Sequence, residues 1–520
     1  MDAPAARVPL TSSQRTVLSI ATVLGTMMYA IDSTIVNVAL PHMQGNLQAS
    51  QDQAAWILTS YIVVSAIMTP LAGWLGTRFG LRPIMLASVA GFTAGSMLCG
   101  IATDLGQIVA FRALQGVSGA ALVPLAQVVL LQEYPREQHA RVTALWGMGV
   151  LLGPVIGPTL GGWLTDELSW RWAFFINLPF GVVAFLGMFA TMRRGDGDAR
   201  RPFDLTGFVL LSMAIGLFQL MMDRGQGEDW FESGEIVAEA FFAALFFYMF
   251  VAHSLTSKRP FVDLHLFTNR NFVLSLIVMF AIGIAIFSPT MLLPGFLQQL
   301  QGYSPTQAGW LTAARGVSAM FAMLISGRLA GRVDLRALML FGVGSAALSL
   351  WMMGQFSLDT PAWRVVAAGL LQGMGAPMTF VPLSIAAFGT LGGAQRTEAG
   401  ALLTLIRNIG ASVGISTAVA LLARGTQVNQ SYLAENFTPY STLRWAEIAA
   451  QPGDPASSAR LVGEIARQAA GISYANDFYI LAFATCLALP LVLLLKVKPP
   501  GAAGDAARRP PADAVVDAGH

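Results

Sequence analysis

Two charged residues stand where a charge is expensive. Asp32 falls in the apolar run 17–40 and Arg112 in the apolar run 106–131. A charge at the centre of a membrane helix costs roughly 3 kcal/mol or more, so each marks a functional position by default. At 1.5 Å per helical residue, Asp32 lies about 13 Å before Pro41 and Arg112 about 10 Å after Leu105. If both runs are helices, the two side chains sit at matching depth. The chemistry they offer is reversible proton binding. Leaving water favours a neutral carboxyl, and a nearby guanidinium favours the ionised form. Moving the arginine, or admitting water, then changes proton affinity. The same two groups also suit a static ion pair that holds two helices together.

Other polar groups share the apolar runs. Arg315 and Arg407 can attract an anion, or can snorkel and bond to carbonyls as packing residues. With Asn37 and Gln115 they are the candidate substrate contacts. Glu398 and Asp477 lie near the ends of their runs, where a solvated role is expected. Gly149, Gly153, Gly157 and Gly161 recur every four residues and so share one helix face, with Gly162 beside them. Such a face permits close helix approach. Pro154 and Pro158 on the same run remove backbone donors and bend the helix. The face is read either as plain tight packing or as a rocking seam. Gly73, Arg78, Gly80 and Arg82 form a Gly-rich basic turn. They can meet helix C-terminal carbonyls and close that side, or can be ordinary loop charge.

These residues need elements to hold them, and composition says which. The 520 residues are 55% hydrophobic and only 12% charged. A soluble chain is about 25% charged, and disorder needs low hydrophobicity. Two cysteines exclude a disulfide scaffold, and a net charge of +2 gives no argument for nucleic acid. The remaining class is an all-α polytopic membrane protein. Fourteen apolar segments run roughly 17–40, 54–75, 84–102, 106–131, 141–164, 172–192, 203–222, 235–255, 271–297, 306–327, 336–356, 362–387, 398–423 and 474–496. Each approaches the roughly 20 residues a span needs. DRGQGEDWFESGE, Asp223 to Glu235, is too polar for hydrocarbon and separates spans seven and eight. The first run ends in Asn and Pro, so it reads as an uncleaved span.

Of the 31 Lys and Arg, 21 fall on the side of the N-terminus, 7 on the other side and 3 within spans. That asymmetry places both termini in the cytoplasm. Residues 1–16 are then a cytoplasmic N-terminus, 193–202 and 256–270 cytoplasmic linkers, and 497–520 a disordered tail. Residues 424–473 form a long outer loop. Its stretch Ser457–Ala470 is patterned as a short amphipathic helix.

The chain repeats itself. GWLGTRFGLRPIML (Gly73–Leu86) and GRLAGRVDLRALML (Gly327–Leu340) match at seven of fourteen places under a shift of 254. LQG recurs at Leu114–Gly116 and Leu371–Gly373. Both basic loops lie on one side, so the halves 17–192 and 271–496 are parallel repeats of six spans, with two spans inserted at 203–255. That is the layout of the major facilitator fold. There is no GxxxxGK[ST], HExxH or CxxC, and the five histidines are scattered. An enzyme is therefore not expected.

Several segments resemble the EmrB/QacA-type, 14-span drug:proton antiporters of the major facilitator superfamily. IDSTIVNVALP (Ile31–Pro41) is similar to that family's first-helix motif. RALQGVSG (Arg112–Gly119) is similar to its span-four motif, and Gly147–Gly162 to its span-five antiporter motif. WRWAFFINLPFG (Trp170–Gly181) resembles the start of its span six. DRGQGEDWF and LPGFLQQLQGYSPTQAG (Leu293–Gly309) point to the EmrB branch. The family's usual acid before the loop arginine is Thr77 here, so a gating ion pair on that acid is not expected. The resemblance implies export of small lipophilic toxic compounds from the bacterial cytoplasmic membrane, driven by the proton gradient with no cofactor. EmrB-like pumps work with a periplasmic adaptor and an outer-membrane channel; QacA-like ones do not. The competing readings are a dedicated exporter of one endogenous metabolite and a non-transport membrane receptor.

Overall fold

The computed structural model describes residues 10–193, 197–198, 202–330, 332–389, 391, 393–435 and 455–496; their regular structure is helical, with no strand among them. Spans one to seven are Ser12–Asn46, Gln51–Phe79, Leu81–Ile101, Leu105–Glu133, His139–Glu167, Trp172–Thr191 and Leu205–Arg224. Spans eight to fourteen are Gly234–Thr256, Arg270–Leu300, Pro305–Leu329, Leu335–Gly354, Ala362–Phe388, Gly393–Glu435 and Pro455–Cys486. Each expected segment falls largely within one of these helices. Spans seven and eight are separate, joined through Gly225–Ser233 as the polar run required.

Local sequence sets the boundaries. Thr11 with Gln14, Ser50 with Gln53 and Ser304 with Gln307 form capping boxes that start spans one, two and ten. Ser50 and Ser304 are themselves 254 apart, so the repeat extends to helix starts. Gly80 turns the chain from span two into span three at φ 88°, ψ 157°, a region open only to glycine. Span four breaks at Ala120–Ala121. Pro124 has no N–H to return to the Ala120 carbonyl, so the ladder cannot run through. Span nine carries Pro289 and Pro294 and ends in a π turn at Phe296–Leu300.

Much of the expected outer loop is helix. Span thirteen continues as helix to Glu435, and span fourteen is already helical from Pro455. Residues 424–435 and 455–473 are thus helix rather than loop, and the expected amphipathic stretch is the start of span fourteen. Residues 436–454, the tail 497–520 and most of the linker 193–202 lie outside the described residues.

The halves repeat their packing. Span one lies on spans five and six; span nine lies on thirteen and fourteen. Spans two and three flank span four, and spans ten and eleven flank span twelve. The halves meet through two equivalent pairs, span five with span ten and span two with span thirteen. Span seven packs on span eight and on spans two and thirteen, so the inserted pair touches both halves. There Gln219 donates to Ser412 at 2.7 Å, Ser416 donates to the Met222 carbonyl, and Thr59 donates to Asp223.

Candidate functional site: a buried acid–arginine centre

The sequence put Asp32 and Arg112 at one depth, and the fold puts them in contact. Span one crosses span four inside the first half, and Arg112 Nη1 donates to Asp32 Oδ2 at 2.6 Å. Asp32 is 0% exposed and Arg112 1%. The other carboxylate oxygen, Oδ1, accepts from Gln115 Nε2 at 2.8 Å and Asn177 Nδ2 at 3.1 Å. Arg112 also donates to Gln115 Oε1 at 2.7 Å and to the Ile57 carbonyl at 3.1 Å. Its guanidinium lies 4.0 Å from the Tyr61 ring centroid, a cation–π contact. Asn177 in turn donates to Ser96 at 2.8 Å.

Every polar neighbour of the Asp32 carboxylate is a donor. An ionised carboxylate only accepts, so the cluster is satisfied in the deprotonated state. Protonation would leave one donor facing an O–H. Spans one, two, three, four and six all contribute, so a shift of any one disturbs the set. A buried pair of this kind is not evidence of stability. Chemically it is a carboxylate held by three donors, one of them a guanidinium.

Gln115 belongs to this cluster, not to an open substrate surface. Asn37 is exposed on span one, five residues beyond the acid. Arg315 of span ten is half-buried and donates to Thr290 of span nine at 2.6 Å. Arg407 lies in a crevice between the halves. Glu398 and Asp477 are buried rather than solvated, at 7% and 2% exposure. Long helices carry both past the ends expected from hydropathy. Glu398 accepts from the Asp263 N–H, and Asp477 Oδ2 has no hydrogen-bond partner among the described residues.

The glycine face also differs from the seam between halves that its pattern offered. It packs within the first half, on span one. A Cβ at Gly149 would fall 2.6 Å from Val23, and one at Gly161 2.7 Å from Ile35. Gly153 lies on Ala30 and Gly157 on Thr34, whose hydroxyl donates to the Gly153 carbonyl at 3.3 Å. Gly162 points elsewhere, its nearest neighbour Val38 at 3.9 Å. Pro154 and Pro158 are helical, and their side chains lie outside the described ones. Span five meets the second half by another side, through Gly147 on Met323 and Ala144 on Gly327.

The basic turn divides in two. Gly73 lies against the other half, with Glu398 Cα 3.2 Å and Ala401 Cβ 3.3 Å from where its Cβ would be. Gly80 makes the turn. Arg82 stays within its half, donating to the Phe189 carbonyl at 3.0 Å, and Arg78 lies over the Trp74 ring at 5.3 Å. Thr77, in the place of the family's acid, donates to the Gly73 carbonyl of its own helix at 3.0 Å.

Asn177, Ser96 and Tyr61 complete the centre and were not singled out from sequence. Asn177 had a signal: it is an amide in the apolar run FFINLPFG of span six. Ser96 and Tyr61 had none, since such residues are common in spans.

A profile of the Major Facilitator Superfamily matches residues 22–415. The chain is 36% identical over 420 residues to the fatty acid resistance protein FarB of Neisseria gonorrhoeae, 80% of this chain and 83% of that one. It is 33% identical over 501 residues to the multidrug export protein EmrB of Escherichia coli K12, 95% of this chain and 98% of that one. The solved structure of the proton:xylose symporter XylE aligns at a TM-score of 0.61 and 13% identity, covering 93% of this chain and 96% of that one. That last likeness is one of fold alone.

Proposed function

Because this chain belongs to the major facilitator superfamily and is of the EmrB type, we propose that it exports small lipophilic toxic compounds in exchange for protons, by alternating access. The observation that carries the reading is the Asp32–Arg112 contact at 2.6 Å in a fully buried, all-donor cage. In one state the cage holds the carboxylate ionised. In the other, displacement of Arg112 lets the carboxyl take a proton, and substrate and proton use opposite states. The proton gradient supplies the energy, and no cofactor takes part.

The setting follows from the same family and from the Lys and Arg asymmetry. The protein spans a bacterial inner membrane with both termini in the cytoplasm, and the helical extensions of spans thirteen and fourteen stand on the outer side. A periplasmic adaptor docking there would hand substrate to an outer-membrane channel.

The test is substrate-induced proton release in proteoliposomes, wild type beside Asp32→Asn. Release in wild type and none in the variant is expected. Release in both removes Asp32 from coupling; no release in either, across a broad lipophile panel, removes proton exchange.

A further inference from the structure

The two inserted spans stand outside the repeat, yet one of them is bonded to a helix that holds the acid centre. That helix is span two. On one face its Ile57 carbonyl accepts from Arg112 Nε at 3.1 Å, and its Tyr61 ring lies 4.0 Å from the guanidinium. Gly116, one turn on from Arg112, is bare against the Tyr61 carbonyl, 2.8 Å from where a Cβ would stand. On another face Val63 and Ile67 lie against Gly216 of span seven, and Thr59 donates to Asp223 at the end of that span. Thr59 is two residues from both Ile57 and Tyr61, about 200° around the helix at 3.6 residues per turn. One short stretch of span two is thus held by Arg112 from one side and by Asp223 from the other.

Asp223 has no ion pair among the described residues. Its neighbour Arg224 is committed elsewhere, to Glu235, to Glu228 at 3.0 Å and to Glu239 at 3.9 Å, and lies over the Trp56 ring of span two at 5.7 Å. Asp223 sits at an exposed position, but the hydroxyl it accepts from is buried, Thr59 being 3% exposed. Losing that acceptor would leave a buried donor unpaired.

Span seven is tied to the second half as well. Gln219 donates to Ser412 of span thirteen at 2.7 Å, and Ser416 of that span donates to the Met222 carbonyl. A run of hydrogen bonds therefore leads from span thirteen through span seven to span two, and ends on the arginine beside Asp32. At the inner end spans two and thirteen meet directly, with Gly73 bare against Ala401. Thr59 is fourteen residues from Gly73, about 21 Å along the helix, and there the inserted span is bonded to both. Any change in the separation of spans two and thirteen at that end must strain one of these bonds.

We propose that Asp223 is a positioning residue of the acid centre: through Thr59 it sets the place of span two, and so of the Ile57 carbonyl and Tyr61 ring that hold Arg112, and it links that placement to span thirteen. Its consequence for transport rests on the proton-exchange reading. The inserted pair is then a strap between the second half and the acid centre of the first.

The test has two readouts, one of which needs neither substrate nor gradient. Cys99 is 0% exposed, with Sγ 3.8 Å from Gln115 Oε1 at the edge of the cage, and the other cysteine is Cys486. In a Cys486→Ser background in lipid nanodiscs, alkylation of Cys99 by N-ethylmaleimide reports local opening of the cage. Asp223→Ala and Thr59→Val are each expected to speed it about fivefold, within the roughly tenfold that one hydrogen bond to a charged group allows. The double variant should be no faster than either, since both remove one interaction. Asp223→Asn keeps an acceptor oxygen and Thr59→Ser keeps the hydroxyl, so both should label at the parent rate. Gln219→Leu frees span seven from Ser412 alone and should do the same. In proteoliposomes the protons released per substrate exported should fall about twofold or more in Asp223→Ala, the low end of what such couplings carry, and recover in Asp223→Asn. A helix that only packs badly would slow both fluxes and keep their ratio.

Parent-rate labelling in Asp223→Ala and Thr59→Val overturns the proposal. Equal acceleration in Gln219→Leu also overturns it, because the fold would then be loosened generally. If Asp223→Ala does not fold, Thr59→Val decides. Proton release in wild type with an unchanged ratio in Asp223→Ala overturns the link to transport and leaves the export reading standing. No proton release in wild type, with Cys99 responding as expected, removes proton exchange and leaves Asp223 as the residue that positions the cage.

Discussion

Gly73 and Gly327 are 254 residues apart, and each lies against the opposite half. A Cβ on Gly73 would fall 3.3 Å from Ala401 of span thirteen, and one on Gly327 2.6 Å from Ala144 of span five. Both stand at the ends of their spans near the basic turns. The repeat therefore places one bare contact on each side of the interface, and the two halves close there.

Filling these contacts should hold that end apart. Gly327→Leu places a branched side chain on Ala144 and on the Ala140 carbonyl, 3.1 Å from the first added carbon. The expected outcome is a folded, membrane-inserted protein with at least tenfold slower transport. A cysteine placed at Ala401 should gain reactivity towards a membrane-impermeant thiol reagent from the same side. Normal transport with no gain in labelling would show that the glycines merely fill space.

The glycine face of span five packs on the helix that carries the acid. Gly153 carries span one on its bare surface, with the backbone of Ala30 only two residues before Asp32. Overpacking costs about 1–3 kcal/mol, and here the relief must come from a shift of span one. Gly153→Ala is therefore expected to reduce proton-coupled transport and thermal stability together. Gly162→Ala, with its nearest neighbour at 3.9 Å, should change neither. Equal behaviour of the two variants in transport and melting assays would refute this.

Much of this was legible because membrane helices write plainly. Hydropathy marks the spans, and a charge in a span marks itself, so Asp32 and Arg112 could be set at one depth, while their contact came from the structure. The repeat fixed which helices are equivalent. What stayed hidden was the partner of each face. A four-residue glycine period says that something approaches closely; it does not say whether span one or the second half does so. Hydropathy also stops where polar residues begin, which hid the helical extensions of spans thirteen and fourteen. Glu398 and Asp477 looked solvated for that reason. Neutral members of the acid cage, such as Ser96, differ in no sequence property from residues that face lipid.

Arg82 and Arg336 are equivalent under the same shift, and both brace their halves. Arg82 donates to the Phe189 carbonyl near the end of span six, and Arg336 Nε to the Leu495 carbonyl beyond span fourteen at 2.7 Å. Hydrogen bonds from a charged donor are worth about 1.5–3 kcal/mol, less where water screens them, and both residues are only half-buried. Arg82→Ala and Arg336→Ala should each lower the melting temperature by a few degrees in detergent. Transport per folded molecule should stay within about twofold. A large loss of rate without a loss of stability would return Arg82 to a gating role.

Asn177 gives the sharpest test of the cage itself. It is 1% exposed and spans two partners, Asp32 Oδ1 at 3.1 Å and Ser96 at 2.8 Å. Asn177→Ala removes one of three donors and leaves the Asp32–Arg112 contact. A hydrogen bond to a charged group is worth about 1.5–3 kcal/mol. If that energy separates the two protonation states, coupled transport should fall about tenfold. Substrate exchange without a gradient, which needs no net proton movement, should fall much less. Asn177→Asp brings a second carboxylate beside Asp32, and like charges at that range cannot both stay ionised. It should be the more damaging substitution, despite its identical shape. If alanine and aspartate prove equally harmless, Asn177 is packing, and the proposed proton control rests on Arg112 and Gln115 alone.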